Sequence, residues 1–258
     1  FETLDSFSVM SNEPSMESDE QVDLTERYEI KGLLGKGGMA KVWRAEDSEL
    51  LRSVAVKTLH QHKSIDPYEQ ENFIVEAQIT AQLHHPGVVP IHEMKILGDG
   101  TQYFTMREIK GKEFKEIIHS VVAVSQKDKW NSDADGWTLR RLLGVLKTVS
   151  QTLSYAHSRG VIHKDIKPAN IMIGDYGEVL IVDWGIAKIC SLGKEATSPE
   201  NWVRIEASNE FVSRRLREVV GTPRYMAPEQ IEGEYERLHF SADIYSMGII
   251  LWEILLGE

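Results

Sequence analysis

The sequence contains a single cysteine, Cys190, among 258 residues. No intrachain disulfide can form, so stability must come from a packed core, and a reducing, cytoplasmic location is expected. Long hydrophobic runs are also missing. The longest, Tyr245 to Gly257, is interrupted by Glu253 and falls short of a bilayer span, so it reads as a buried helix. No basic stretch followed by an apolar one opens the chain, and no signal peptide is visible. The first residue is Phe1 rather than Met, which suggests a segment of a longer protein. Positive charge is scarce: 29 Lys and Arg face 40 Asp and Glu, giving a net charge of -11. That balance disfavours nucleic acid and anionic lipid as partners.

The shortage of positive charge is uneven. Residues 1–26 contain eight acidic residues and no Lys or Arg; removing those eight from the 40 leaves 32 acids against 29 bases, a net of -3. This Ser-rich opening has little periodic apolar content to offset the entropy of ordering and reads as a disordered tail, with a docking or phosphorylated tail as the alternative. From residue 27 onward the length is sufficient to bury a sizeable core.

Short alternating segments, Tyr28 to Leu34, Lys41 to Glu46 and Ser53 to Leu59, predict three consecutive antiparallel strands. Asp66 to Leu83 predicts a helix, with Phe73, Ile74 and Ala77 at helical spacing, ended by His85-Pro86-Gly87. Val88 to Ile96 and Gln102 to Met106 read as two further strands. Beyond Leu139, helical periodicity dominates (Leu142, Leu146, Val149, Leu153). A small β-rich lobe followed by a larger helical one is expected.

Gly35-Lys36-Gly37-Gly38-Met39-Ala40 satisfies G-x-G-x-x-G/A, a weak signal alone. In a dinucleotide-binding fold a helix follows such a loop; here Lys41 to Ala45 reads as a strand. A glycine hairpin lets backbone N–H groups approach phosphate oxygens closely. Ala55 and Lys57 then share one face of the third strand, and Lys57 is placed to pair with phosphate oxygens. Its carboxylate partner is expected to be Glu76 on the following helix, with Glu71 as the competitor. Further on, Asp165, Lys167 and Asn170 put an acceptor, a cation and an amide in one irregular segment. Val179 to Val182 reads as a strand ending at Asp183-Trp184-Gly185, and an aspartate there suits a hard cation with oxygen ligands.

Taken in order, these motifs resemble the Ser/Thr protein kinase family, in particular its bacterial branch. They are Gly35-x-Gly37, Val54-Ala55-Val56-Lys57, His163-Lys164-Asp165, Asp183-Trp184-Gly185 and Gly221-Thr222-Pro223 through Ala227-Pro228-Glu229. The resemblance implies an α+β, two-lobed fold. It would have an antiparallel β-rich N-lobe with one key helix (27–106) and a mainly helical C-lobe (107–258) that is C-terminally truncated. It implies ATP and Mg²⁺, with Mn²⁺ as a substitute, and transfer of the γ-phosphoryl group to Ser or Thr hydroxyls of proteins, including trans autophosphorylation. Asp165 would orient the hydroxyl and accept its proton, and Lys167 would neutralise the γ-phosphate. Asn170 and Asp183 would hold the metal, and Lys57, held by Glu76, would grip the α/β-phosphates. Gly35, Lys36, Gly37, Gly38, Val42 and Ala55 would line the nucleotide pocket with gatekeeper Met106 and hinge residues Arg107 to Ile109. Thr222 would contact Asp165 and Lys167, and Asp243 would brace the catalytic loop. Lys164, Trp184 and Ala40 replace the family's usual Arg, Phe and Gly, but no reacting group is missing; a silent nucleotide-binding scaffold is the alternative.

The resemblance makes residues 183–229 an unusually long activation segment. Its polar middle, with Thr197, Ser198, Ser208 and Ser213, is expected to be mobile until a phosphate there pairs with Lys164 and nearby arginines; a merely long insertion is the alternative. His60/His62 and His84/His85 lack ligand-spaced partners and read as surface and helix-end residues. The resemblance also implies helices beyond Glu258, one supplying an arginine to Glu229, so an extended chain is expected to melt higher.

Overall fold

The computed structural model describes residues 27–60, 66–98, 100–125, 132–191 and 199–257. The expectations for residues 1–26, His62, Thr197 and Ser198 fall outside them. The N-terminal half is a five-stranded antiparallel sheet built from β1 (Tyr28–Lys36), β2 (Ala40–Asp47), β3 (Arg52–Leu59), β4 (Ile91–Ile96) and β5 (Gln102–Arg107), in the order β1-β2-β3-β5-β4. Period-two alternation sends its side chains to two clusters. Trp43, Ala45, Val54 and Val56 pack with Tyr28 and Tyr103 on one face; Ala40, Leu59 and Phe104 pack on the other with Phe73 and Ala77 of α1 (Pro67–Gln82). Asp66 caps α1 by accepting from the Tyr68 N–H at 2.9 Å, and Pro67 occupies the first turn, where its missing N–H costs nothing.

The strand expected over Val88 to Ile96 begins only at Ile91. Pro90 has no N–H for a ladder, and Val88 instead bridges Ile181 in parallel while the Gly87 carbonyl accepts from the Ile181 N–H at 2.8 Å. That stretch ties the sheet to the lower half. Gly87 is required there, because a Cβ would lie 2.1 Å from Thr152 Oγ1.

The lower half holds α2 (Phe114–Ser125), α3 (Leu139–Ser158) and α6 (Ser241–Leu256), with short α4 (Asn209–Arg215) and α5 (Pro228–Ile231) between them. Its strands are β6 (Gly111–Glu113), β8 (Ile171–Gly174) and β9 (Val179–Ile181) in one small sheet, and β7 (Val161–Ile162) with β10 (Lys188–Ile189) in another. One core cluster joins Leu142, Val149 and Leu153 of α3 to Ile250 and Ile254 of α6, to Trp184, and to Val75 and Ile79 of α1. The architecture is the two-lobed α+β arrangement.

The Tyr245 to Gly257 run, read as a buried helix, is buried on one face only. Ser246, Ile250 and Ile254 point inward, whereas Ile244, Tyr245, Trp252 and Leu256 are exposed. A run apolar on all sides does not reveal that only one side meets a neighbour. No helix among the described residues is long and apolar enough to cross a membrane.

Candidate active site

The glycine loop is the β1–β2 turn, closed by the Gly37 N–H donating to the Ala40 carbonyl at 2.9 Å, and a strand follows it rather than a helix. Beneath it is a cavity of about 500 Å³, within the range of nucleotide-sized sites. Gly35, Lys36, Gly37, Gly38, Val42, Met106 and Ile109 line its roof and inner end; Lys57, Glu76, Asn170 and Asp183 line its polar end. Two residues expected at the cavity do not line it. Ala55 is buried in the sheet beside Met106, and the Arg107 side chain is exposed while its N–H donates to the Pro90 carbonyl. His60, at the end of β3, places its ring on the Gly37 carbonyl at 2.9 Å.

On the α1-facing side of β3, Lys57 Nζ meets Glu76 Oε1 at 2.5 Å. Burial works against the Lys57 charge, but Glu76 and Asp183 more than offset it and raise its pKa, so it remains a cation. The competitor Glu71 is occupied elsewhere, accepting from the Ser208 N–H and hydroxyl at 2.5 and 2.7 Å.

The catalytic segment is a closed polar network. Lys167 Nζ donates to Asp165 Oδ2 at 2.6 Å and to the Thr222 hydroxyl at 2.7 Å. The Thr222 N–H and hydroxyl both reach Asp165 Oδ1, at 2.9 and 2.7 Å. Asn170 donates its amide to Asp165 Oδ2 at 3.0 Å, which leaves its own carbonyl oxygen available toward the cavity it shares with Asp183. Burial alone would raise the Asp165 carboxyl, but the bonds from Lys167 and Thr222 bring it below its ordinary value. Thr222 reaches this far because Gly221, at φ +143°, lies against the catalytic loop; a Cβ there would sit 2.6 Å from Gln230 Nε2.

Among the described residues three carry left-handed backbone without being glycine: Leu51 in the β2–β3 turn, and at the site Lys164 (φ 70°) and Asp183 (φ 65°). Such strain persists only where surroundings over-determine it. Asp243, fully buried on α6, accepts from the His163 and Lys164 N–H groups at 2.9 Å each and meets His157 Nε2 at 2.7 Å. Beside Asp183, Trp184 is held by its Nε1–H on the Ile181 carbonyl at 3.3 Å and by an edge contact with His163 at 4.6 Å.

Sequence reasoning missed Arg215, whose guanidinium is buried and donates to Asn72 Oδ1 (2.5 Å), the Gly185 carbonyl (2.7 Å) and the Ala187 carbonyl (3.1 Å). A polar seven-residue helix with no clear apolar face gave no signal for it. Lys164, expected to await a phosphate, is itself only 3% exposed, and burial together with Arg215 pushes its ammonium down to about 8. His84 and His85 stand at the end of α1, with His85 stacked on Tyr155 at 5.2 Å.

Residues 28–258 match the family model described as protein kinase domain. The chain is 38% identical over 232 residues to a protein of Protochlamydia amoebophila named serine/threonine-protein kinase PknD, covering 88% of this chain and 23% of that protein. Proteins of the same name from Chlamydia pneumoniae and Chlamydia caviae are each 37% identical, over 235 and 231 residues, covering 89% of this chain and 24% of theirs. The chain thus spans about a quarter of the length of these relatives.

Proposed function

The chain belongs to the protein kinase domain family, and from that membership we propose that it transfers the γ-phosphoryl group of ATP to serine or threonine hydroxyls of protein substrates. The observation that carries this reading is the Asp165–Lys167–Thr222–Asn170 network, opening beside a cavity that also presents Lys57 and Asp183. The relatives' name, serine/threonine-protein kinase, points the same way.

Two oxygen donors, the Asn170 carbonyl and the Asp183 carboxylate, border one cavity, a donor set that suits a hard divalent ion. We assign Mg²⁺ there, with Mn²⁺ as a substitute; when bound with ATP it supplies charge neutralisation at the phosphates. The remaining work falls to the chain. Backbone amides of residues 35–38 and the Lys57 ammonium hold the phosphates, and Val42, Met106 and Ile109 flank the base. Asp165 orients the acceptor hydroxyl. As the new O–P bond forms and the β–γ bridging bond breaks, its carboxylate receives the hydroxyl proton. Held below its ordinary pKa, Asp165 is a weak base; orientation is therefore its main service, and the proton moves late, as suits a loose transition state. Lys167, bonded to both Asp165 and Thr222, neutralises charge on the transferred group.

The catalytic domain is residues 27–258 by this reading, with trans autophosphorylation as one reaction and a cytoplasmic setting. Product analysis tests it: incubation with γ-labelled ATP and a generic protein substrate should yield phosphoserine or phosphothreonine. Nucleotide binding without any label transfer would instead establish the scaffold.

A further inference from the structure

The hinge between the two halves is held from both ends. The Arg107 N–H donates to the Pro90 carbonyl at 3.2 Å, and the Lys110 carbonyl accepts from the Asp175 N–H at 2.9 Å, which ties Lys110 to the turn between β8 and β9. Between them the Glu108 side chain turns back onto the five-stranded sheet. Its Oε1 accepts from Arg44 Nε of β2 at 2.6 Å, and its Oε2 accepts from the Ser53 hydroxyl of β3 at 2.6 Å. Both carboxylate oxygens are thus matched, and the side chain is only 3% exposed, although that of Arg44 is half exposed. A carboxylate removed from water to that degree persists only where its oxygens have donors.

Strand register brings the three residues together. Arg44 lies opposite Ala55, Ala55 opposite Met106, and Val54 opposite Arg107. Side chains two apart share a face, so Arg44, Ser53 and Glu108 fall on the face that carries Val42, Lys57 and Met106, three residues of the cavity wall. The Arg44–Glu108 pair continues that face at the hinge end. Ile109, the next residue along, lines the cavity. Gly111 then packs against β8 so closely that a Cβ would lie 2.0 Å from the Ile173 carbonyl oxygen. Ile109 therefore sits between an anchor on the upper sheet and anchors on the lower one.

We infer that Glu108 is a positioning residue for the nucleotide: clamped by Arg44 and Ser53, it fixes the hinge to the upper sheet and so holds Met106 and Ile109 where they flank the base. The inference rests on the kinase reading above. Loss of the clamp falls on nucleotide binding rather than on the transfer step, because Asp165, Lys167 and Thr222 bond to one another in the lower half and to none of the three clamp residues.

The test uses the full chain and three readouts: calorimetric titration with ATP and with ADP in the presence of Mg²⁺, kcat and KM for ATP with a generic protein substrate, and amide hydrogen exchange over residues 105–111. Glu108→Ala and Arg44→Ala should each weaken binding of both nucleotides about five-fold and raise KM to match, with the change in kcat below about two-fold. Glu108→Gln, which keeps a neutral acceptor for Arg44, should lose less. The double variant Arg44→Ala/Glu108→Ala should be no weaker than the weaker single one, and the swap Arg44→Glu/Glu108→Arg should bring the Kd back to within about two-fold of the natural chain. Exchange over 105–111 should rise in both single variants and stay unchanged over α3. Unaltered Kd and exchange in Glu108→Ala would overturn the clamp, as would a loss carried by kcat with KM unchanged, or losses that add in the double variant. If the natural chain binds nucleotide but transfers no phosphate, the kinase reading fails and the binding data still decide the clamp; no nucleotide binding at all would overturn both.

Discussion

Lys57 and Glu76 are individually costly to bury and stable only together. Lys57→Met leaves the Glu76 carboxylate in the cleft without its cation and should cost about 3 kcal/mol in chemical denaturation. Adding Glu76→Gln should restore much of that stability and none of the phosphoryl transfer, a cycle that separates packing from chemistry. Lys164 allows a pH test. Its folded pKa, about 8, lies below its ordinary value of 10.5. Between those values the unfolded chain binds the proton and the folded chain does not, so this group makes stability rise with pH across that window. Lys164→Met removes that contribution. The stability of the natural protein relative to the variant should therefore climb from pH 8 to pH 10, and a flat difference would contradict the assignment.

At the scale of elements, α6 matters through one buried carboxylate. Asp243 accepts two backbone N–H groups of the catalytic loop and meets His157 on α3, holding Lys164 in its left-handed conformation. Asp243→Ala leaves those donors buried and unmatched, which should cost about 3 kcal/mol and lower Tm by roughly 5–10 °C. The sequence displayed these elements unequally. Alternation on β3 put Ala55 and Lys57 on one face, and apolar spacing placed a helix over Asp66 to Leu83, because both signals are local. The motif order likewise led to Asp165, Asn170 and Asp183. What stayed hidden was non-local: Arg215 bonds Asn72 across 143 residues, and no periodicity in a seven-residue polar helix encodes that. Nor does apolar content alone show which face of α6 is covered.

For the whole molecule, the net charge of -11 is a poor guide to chemistry, since residues 27–258 carry only -3 of it. The charges that act are paired locally. Asp47, fully buried, is held well below the usual carboxylate range by Arg27 through two bonds of 2.9 Å. The family match begins at residue 28. We propose a domain edge at residue 27: a chain lacking residues 1–26 should keep its Tm within about 2 °C and its kcat nearly intact, and a large loss of either would move that edge. The central claim, that one cleft binds ATP and delivers its phosphoryl group through Asp165, is tested most directly by pairing ATP-binding titration with ³²P transfer for the natural chain and Asp165→Asn. The account predicts equal ATP affinity and a transfer rate lower by about 10²-fold or more in the variant. Transfer that survives Asp165→Asn undiminished would contradict it.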